Sequence, residues 1–282
     1  TWDGLNRYNG HEFKVFKPSP DYNSIGNNII RDIVECDGDI WIATDRGIDR
    51  YDSDKKSFSH YFTEMLSSAA VREHTFHIIN GLEKTVYAGI NGKGIYSYSP
   101  EDDEFDLIEG LAGIEFVTFF DSHGRIWYLT SDNELVMTFS DTVISNVMNV
   151  FIEGNLLWIQ TYDNELVSYD TDSGTVTTLF RLPSGMSKIN AFAVSENGLL
   201  LGTASGANTF ETVLEDVTVL SLHYGTQKII WVGTDNQGVW KITGRNQHFS
   251  VYPEPGSTVF GNSAVRAFHE DPDSDLWIGT KG

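Results

Sequence analysis

A short phrase returns along this chain: "IWIATDRGIDRYD" at 40–52, "IWVGTDNQGVWKIT" at 230–243, and the partial copies "TWDGLNRY" at 1–8 and "DLWIGTKG" at 275–282. Recurrence over a few tens of residues constrains a fold more tightly than local propensity, because each copy must be one supersecondary unit that buries its apolar faces against its neighbours. The residue closing each "W-I-G-T"-like strand is Thr1, Thr44, Ile90, Thr130, Thr161, Thr203, Thr234 or Thr280. The seven intervals are 43, 46, 40, 31, 42, 31 and 46 residues, and they fill the chain.

Each interval reads alike. An alternating segment such as "NNIIRDIVE" (27–35) leads into a Gly/Asp turn, "CDGD". Then come "IWIAT", a second turn, "GIDRYD", and a polar turn before "SFSHYF". Short runs of period two or continuous apolar character, joined by turn residues, predict four antiparallel strands per unit. An aromatic residue marks the second strand at Trp41, Tyr87, Trp127, Trp158, Trp231 and Trp277, with Leu200 as the exception. A four-stranded sheet of this size cannot bury both faces alone, so the expected fold is all-β, a seven-bladed β-propeller of four-stranded antiparallel blades spanning residues 1–282 as one domain. The split phrase at the termini predicts a closing blade shared between them: "DLWIGT" supplies its inner half, and "GLNRY" with "EFKVF" its outer half, leaving no unpaired edge. The two 31-residue intervals predict blades with a rudimentary outer strand.

Composition narrows the partners. Asp and Glu number 40 against 19 Lys and Arg, a formal charge of −21 that repels phosphate backbones, so nucleic acid is not an expected partner. Cys36 is the only cysteine, which excludes an intrachain disulfide and a thiolate metal cage. No cofactor is expected. There is no apolar run of roughly 20 residues and no basic, apolar leader. Starting in mid-motif, the chain reads as a segment of a longer protein.

"TWDGLNRYNGHEF", "IWIATDRGIDRYD" and "SAVRAFHEDPDSDLWIGT" resemble the regulator-propeller repeats of hybrid two-component sensors from gut Bacteroidetes. The resemblance runs along the whole chain and is weakest between 100 and 215. It implies a periplasmic ectodomain of an inner-membrane receptor: two propellers, a smaller all-β domain, a membrane helix and a histidine kinase with response-regulator modules. It also implies recognition of oligosaccharides that switch on glycan-utilisation genes. The neighbouring propeller and all-β domain of the same receptor, and a second copy of the chain, are the protein partners it suggests.

Topology points to a site. In a four-stranded meander the start of strand one and the turn between strands two and three share one end. That end collects Trp2, Arg46, Asn91, Lys93, Tyr162, Asn164, Asp235, Asn236 and Lys281 as candidate ligand-binding residues. Counting back ten from the aromatic anchor adds Arg31 and His77 at the start of strand one, and the longer last turn puts Arg266 in register with Arg31. Aromatic faces for sugar rings, amides for hydroxyls and cations for uronate or sulfate are what an oligosaccharide pocket requires. The same residues have plainer readings: Asn and Asp serve tight turns, and the arginines could tie neighbouring blades through backbone carbonyls.

Enzyme signals are few. "GINGKG" (89–94) bridges two strands and opens no helix, and "DPDSD" (271–275) lacks the Gly and the closing Glu of a calcium loop. The expectation is a non-catalytic sensor. The alternatives are a propeller lyase or glycoside hydrolase with an axial acid and base, and a scaffold that binds protein along its rim.

Overall fold

A computed structural model describes residues 5–9, 12–63, 76–182, 188–195, 198–204, 206–208, 212–215, 217–225, 228–243, 248–252, 264–272 and 274–281. The chain divides into two compact units, one of Thr1–Ile78 with Asn190–Gly282 and one of Ile79–Ile189. Both are built from four-stranded antiparallel sheets of the propeller-blade type.

The first unit holds four sheets. One runs Ile30–Cys36, Asp39–Thr44, Gly47–Asp52 and Ser57–Tyr61, in chain order across the sheet. The next two are Ala191–Ser195, Gly198–Thr203, Gly206–Asn208, Thr212–Glu215, and Val219–Tyr224, Ile230–Thr234, Val239–Thr243, His248–Tyr252. The fourth joins the two ends of the chain. Ala264–Glu270 pairs with Leu276–Lys281, which pairs with Leu5–Tyr8, which pairs with Phe13–Phe16. The register Asn6↔Ile278, Arg7↔Trp277, Tyr8↔Leu276 carries the seam as the split phrase predicts. In the second unit the sheets are Phe76–Asn80 (which straddles the unit boundary) with Val86–Ile90, Gly94–Ser99 and Glu104–Ala112; Thr118–Ser122, Arg125–Leu129, Leu135–Met137 and Val143–Ile144; and Val147–Glu153, Leu156–Thr161, Glu165–Asp170 and Val176–Arg181. In the 31-residue intervals the outer strand is short in one sheet, Val143–Ile144 at two residues, while in the other Thr212–Glu215 has four and the shortened strand is the third, Gly206–Asn208, at three.

Local chemistry sets the turns. In "CDGD" the central residues Asp37 and Gly38 have φ of 56° and 86° between the paired Cys36 and Asp39, the two-residue hairpin with positive φ at both positions that matches strand twist. The first strand begins at Ile30, later than the alternation suggests, because the Asn27 side chain accepts the Ile29 amide and turns the chain there.

The anchor aromatics form the cores between sheets. Trp277 is buried with Tyr51, Phe58, Ile33 and Ile40, while Trp127 is buried with Val150 and Leu157. Each such side chain contributes roughly 3 kcal/mol of apolar transfer free energy. The "G" of "W-V-G-T" has a steric cause: a Cβ on Gly233 would stand 2.2 Å from Ser221 Oγ and 2.6 Å from Val265 Cγ1. Glycine there lets the first strand of the next blade approach to backbone distance.

Candidate functional site

The turn between second and third strands is held by the threonine that ends the repeated phrase. Thr44 Oγ1 donates to Gly47 O at 3.1 Å and accepts the Arg46 amide at 3.0 Å. Thr234 Oγ1 does the same with Gly238 O at 2.8 Å and the Gln237 amide at 2.9 Å. The next residue docks this turn to the entrance of the first strand: Asp45 N donates to Ile29 O at 3.2 Å, Tyr162 N to Asn146 O at 3.2 Å, and Asp235 N to Thr218 O at 3.0 Å. Turn and strand entrance therefore lie at one end of each blade, as the meander requires.

At that entrance, among the described pairings, four first strands carry the same β-bulge. Opposite the threonine and its preceding residue, the pairing skips Arg31, Met148, Leu220 and Arg266. A bulge re-aims the extra side chain, which makes the position suited to a site. Arg31 and Arg266 are both exposed there, and their strands, Ile30–Cys36 and Ala264–Glu270, pack side by side in the first unit. The register equivalence of the two arginines is thus a feature of the structure. Their plainer reading is corrected for Arg31: its Nε donates to Asp45 Oδ1 at 2.5 Å, a carboxylate of its own blade.

His77, on Phe76–Asn80, lies within electrostatic reach of Arg31. Burial, then the Arg31 charge, pushes its pKa down to about 4, so the imidazole is neutral at neutral pH. Beside Arg31, burial pushes the Asp32 carboxyl up to about 7, against the opposing hydrogen bond from the Ile33 amide. This end therefore presents a cation with a neutral imidazole in its reach, while the Asp32 carboxyl is engaged by the Ile33 amide. Such a set can hold an anionic group and exchange hydrogen bonds with hydroxyls.

The residue after the bulge reaches a carbonyl outside its own sheet. Asn149 Nδ2 donates to Ile189 O at 2.7 Å within the second unit, and Ser221 Oγ donates to Val265 O at 3.1 Å, on the first strand of the next sheet of the first unit. Asp32 occupies the same place with a group that can donate only when protonated.

The other candidates divide. Arg46, Asp235 and Asn236 are exposed on turns of the first unit. Asn91, Lys93, Tyr162 and Asn164 belong to the second unit. Asn91 Oδ1 is used structurally, accepting the Phe116 amide at 2.9 Å, and Asn164 supplies positive φ, 59°, to its turn. Tyr162 is half exposed and donates its hydroxyl to Asn133 Oδ1 at 2.9 Å, while Lys93 is exposed. Trp2 and the side chain of Lys281 lie outside the described residues. In "DPDSD" two carboxylates are used within the fold: Asp271 accepts the Asp275 amide and the Trp277 indole N–H, each at 2.9 Å, and Asp275 pairs with Arg7, while Asp273 lies outside the described residues.

Sequence reading passed over Asp32, Asp45 and the bulge. The signal is an apolar spacing of three where a strand should show two: Ile30/Ile33, Val147/Val150, Val219/Leu222 and Val265/Phe268.

Residues 259–282 match the family model of the two component regulator propeller. No curated protein matches. Among solved structures, the chain is similar to the extracellular domain of a B. thetaiotaomicron protein described as a hybrid two component system. That likeness has 14% identity and a TM-score of 0.70, and it covers 99% of this chain and 39% of that one. It is also similar to a catalytically inactive virginiamycin B lyase from Staphylococcus aureus with quinupristin, at 13% identity and a TM-score of 0.62, covering 97% and 98%. At these identities the likenesses show the fold, and the chain spans well under half of the two-component relative.

Proposed function

We propose, from a chain whose last blade carries a two-component regulator propeller repeat, that this protein is a ligand-sensing propeller in the periplasmic half of a hybrid two-component receptor. In this reading the seven sheets close as one seven-bladed ring over residues 1–282, completed by the sheet that joins the two termini. The ligand is an oligosaccharide with acidic groups, seated at the bulged end of the first strands. One observation carries the site: Arg31 and Arg266 occupy the same bulge position on adjacent strands, both exposed, with His77 in reach of the first.

Binding would draw Arg31 away from Asp45 and alter how the ring meets the neighbouring propeller, the all-β domain or a second receptor copy. A signal follows only if the ligand binds the two arrangements with different affinity. The kinase would read that difference and switch on glycan-utilisation genes.

A second reading rests on Asp32 and His77. A carboxyl raised to about 7 and a neutral imidazole are the kinds of group that acid–base catalysis of glycan cleavage would use. One experiment separates the two: calorimetric titration with neutral and acidic oligosaccharides, followed by mass analysis of each mixture. Saturable heat with intact sugars, lost in the Arg31→Ala/Arg266→Ala double variant, is the expected result. Shortened or unsaturated products would make the protein an enzyme, and unaltered affinity in the double variant would remove the site.

A further inference from the structure

The third strand places a cation over the anchor tryptophan in three sheets, each time as a directly opposed pair: Arg7↔Trp277, Arg50↔Trp41 and Lys241↔Trp231. The charges stand 5.5, 5.4 and 5.2 Å from the ring centroids. In two of the three a carboxylate two residues before the tryptophan completes the set. Asp275 pairs with Arg7 at 2.7 Å from Nε, and Asp39 with Arg50 at 2.6 Å. The repeat unit is thus carboxylate, cation and indole, and it satisfies itself.

The Trp231 sheet departs from this rule. The position of Asp275 and Asp39 is taken by Ile229, and among the described residues Lys241 forms no ion pair. Where the carboxylate is missing there is a small open cleft of about 70 Å³ between this sheet and the seam sheet, both in the first unit, lined by Tyr8, Trp231, Lys241, Glu270, Ser274 and Leu276. Its floor is aromatic and aliphatic: Tyr8, Trp231 and Leu276 are buried. Glu270, on the lining, has its Oε2 3.4 Å from His223 Nε2.

We infer that this cleft is a second ligand site, which takes a small hydroxylated carboxylate such as a single sugar acid. The ligand's carboxylate would sit against Lys241 in the place that Asp275 and Asp39 hold in the sister repeats. Its hydroxyls would meet Glu270 and Ser274, and its ring or chain would lie against the apolar floor. Carboxylate alone would be opposed by Glu270, so hydroxyl groups that donate to that side chain are part of the recognition. The site lies at the opposite end of the blades from the bulges, on the side of the turns between first and second strands, and does not depend on the oligosaccharide reading.

The test titrates the protein with D-glucuronate, with methyl β-D-glucoside as the neutral control, and reads the apparent Kd by calorimetry or ligand-observed NMR. Saturable glucuronate binding is expected, with no saturation by the glucoside at the same concentrations. Lys241→Met should weaken glucuronate at least tenfold. Ile229→Asp, which rebuilds the carboxylate of the sister repeats inside the cleft, should do the same while keeping the fold. The Arg31→Ala/Arg266→Ala variant should leave this binding in place. No saturation in the wild type, equal binding of the neutral sugar, or unchanged affinity in both cleft variants would overturn the inference. Binding lost only in the arginine variant would also overturn it, by moving glucuronate to the bulged end, and would leave the proposed function standing.

Discussion

Strands Ile30–Cys36 and Val147–Glu153 make the same backbone bend from different side chains. Both skip one residue opposite the second-strand threonine, and both place a polar residue next in line. In the second unit those residues are Met148 and Asn149, a half-buried thioether and an amide that donates to the Ile189 carbonyl. In the first unit they are Arg31 and Asp32, an exposed guanidinium and a carboxyl that burial drives toward its protonated form. The bend recurs in the first strands of four sheets among the described residues, whereas Thr118–Ser122 and Ala191–Ser195 pair in unbroken register. Its side chains are free to vary, and in the proposed reading the charge at the bend is what a ligand would meet.

The most severe way to break the shared geometry is to fill the gap that lets first strands approach. Gly233→Ala puts a methyl 2.2 Å from Ser221 Oγ and should cost about 3 kcal/mol or more, read as a fall in denaturant midpoint. Exchanging the residues after the bulge sharpens the comparison next. Asp32 has a folded pKa near 7, above its ordinary 3.8, so the unfolded chain binds fewer protons between those values and stability falls as pH rises through them. Asp32→Asn should therefore gain about 2 kcal/mol at pH 8 and nothing at pH 3.5. Asn149→Asp should lose a similar amount at pH 8 and recover it in acid, both followed by melting across pH. A variant pair without this mirror symmetry would show that the two positions are not equivalent.

Smaller effects separate use from structure. Arg31→Ala and Arg266→Ala should each weaken an acidic oligosaccharide about tenfold, roughly 1.4 kcal/mol, with little change in melting temperature. Met148→Ala at the same bend should leave affinity alone. Equal losses of affinity at all three would assign the effect to the bend itself. The smallest change concerns the segment before Ile30. Asp49 Oδ1 contacts His60 Nδ1 at 2.6 Å, the Tyr22 carbonyl contacts His60 Nε2 at 2.9 Å, and Asp49 Oδ2 accepts the Gly26 amide at 2.7 Å. Both partners of the ring are acceptors, so the geometry calls for an imidazolium, in line with a pKa raised by the Asp49 hydrogen bond. A raised folded pKa stabilises below the ordinary His value and is lost as pH rises through the folded one. Hydrogen exchange of the Gly26 amide should accelerate above that point, by an amount worth less than about 1 kcal/mol. Unchanged exchange would show that the His60–Asp49 pair does not hold the Gly26 amide in place.

Much of the molecule was readable in advance. Turn glycines, the anchor tryptophans and the split phrase at the termini each leave a residue-level mark, because hairpin φ angles and buried aromatic volume admit few side chains. Tyr51 and Trp277, more than 200 residues apart, are buried in one cluster because a repeat places its own partners. The candidate site was readable only in outline. Arg31 and Arg266 were found through register, while Asp45, which holds Arg31, and Asp32 look in the sequence like ordinary turn and strand-edge carboxylates.

By itself, then, the sequence determined the four-strand unit, its seam at Leu5–Tyr8 and Leu276–Lys281, and the end of each blade where charged residues gather. These follow from local periodicity and from turn chemistry that each segment carries within it. Only the tertiary structure decided which cations are already paired. Arg7 and Arg50 have carboxylates, Arg31 is held by Asp45, and Lys241 opens on a cleft. Pairing and burial depend on what a neighbouring strand or blade brings within a few ångströms, and the spacing of residues along one chain does not contain that distance.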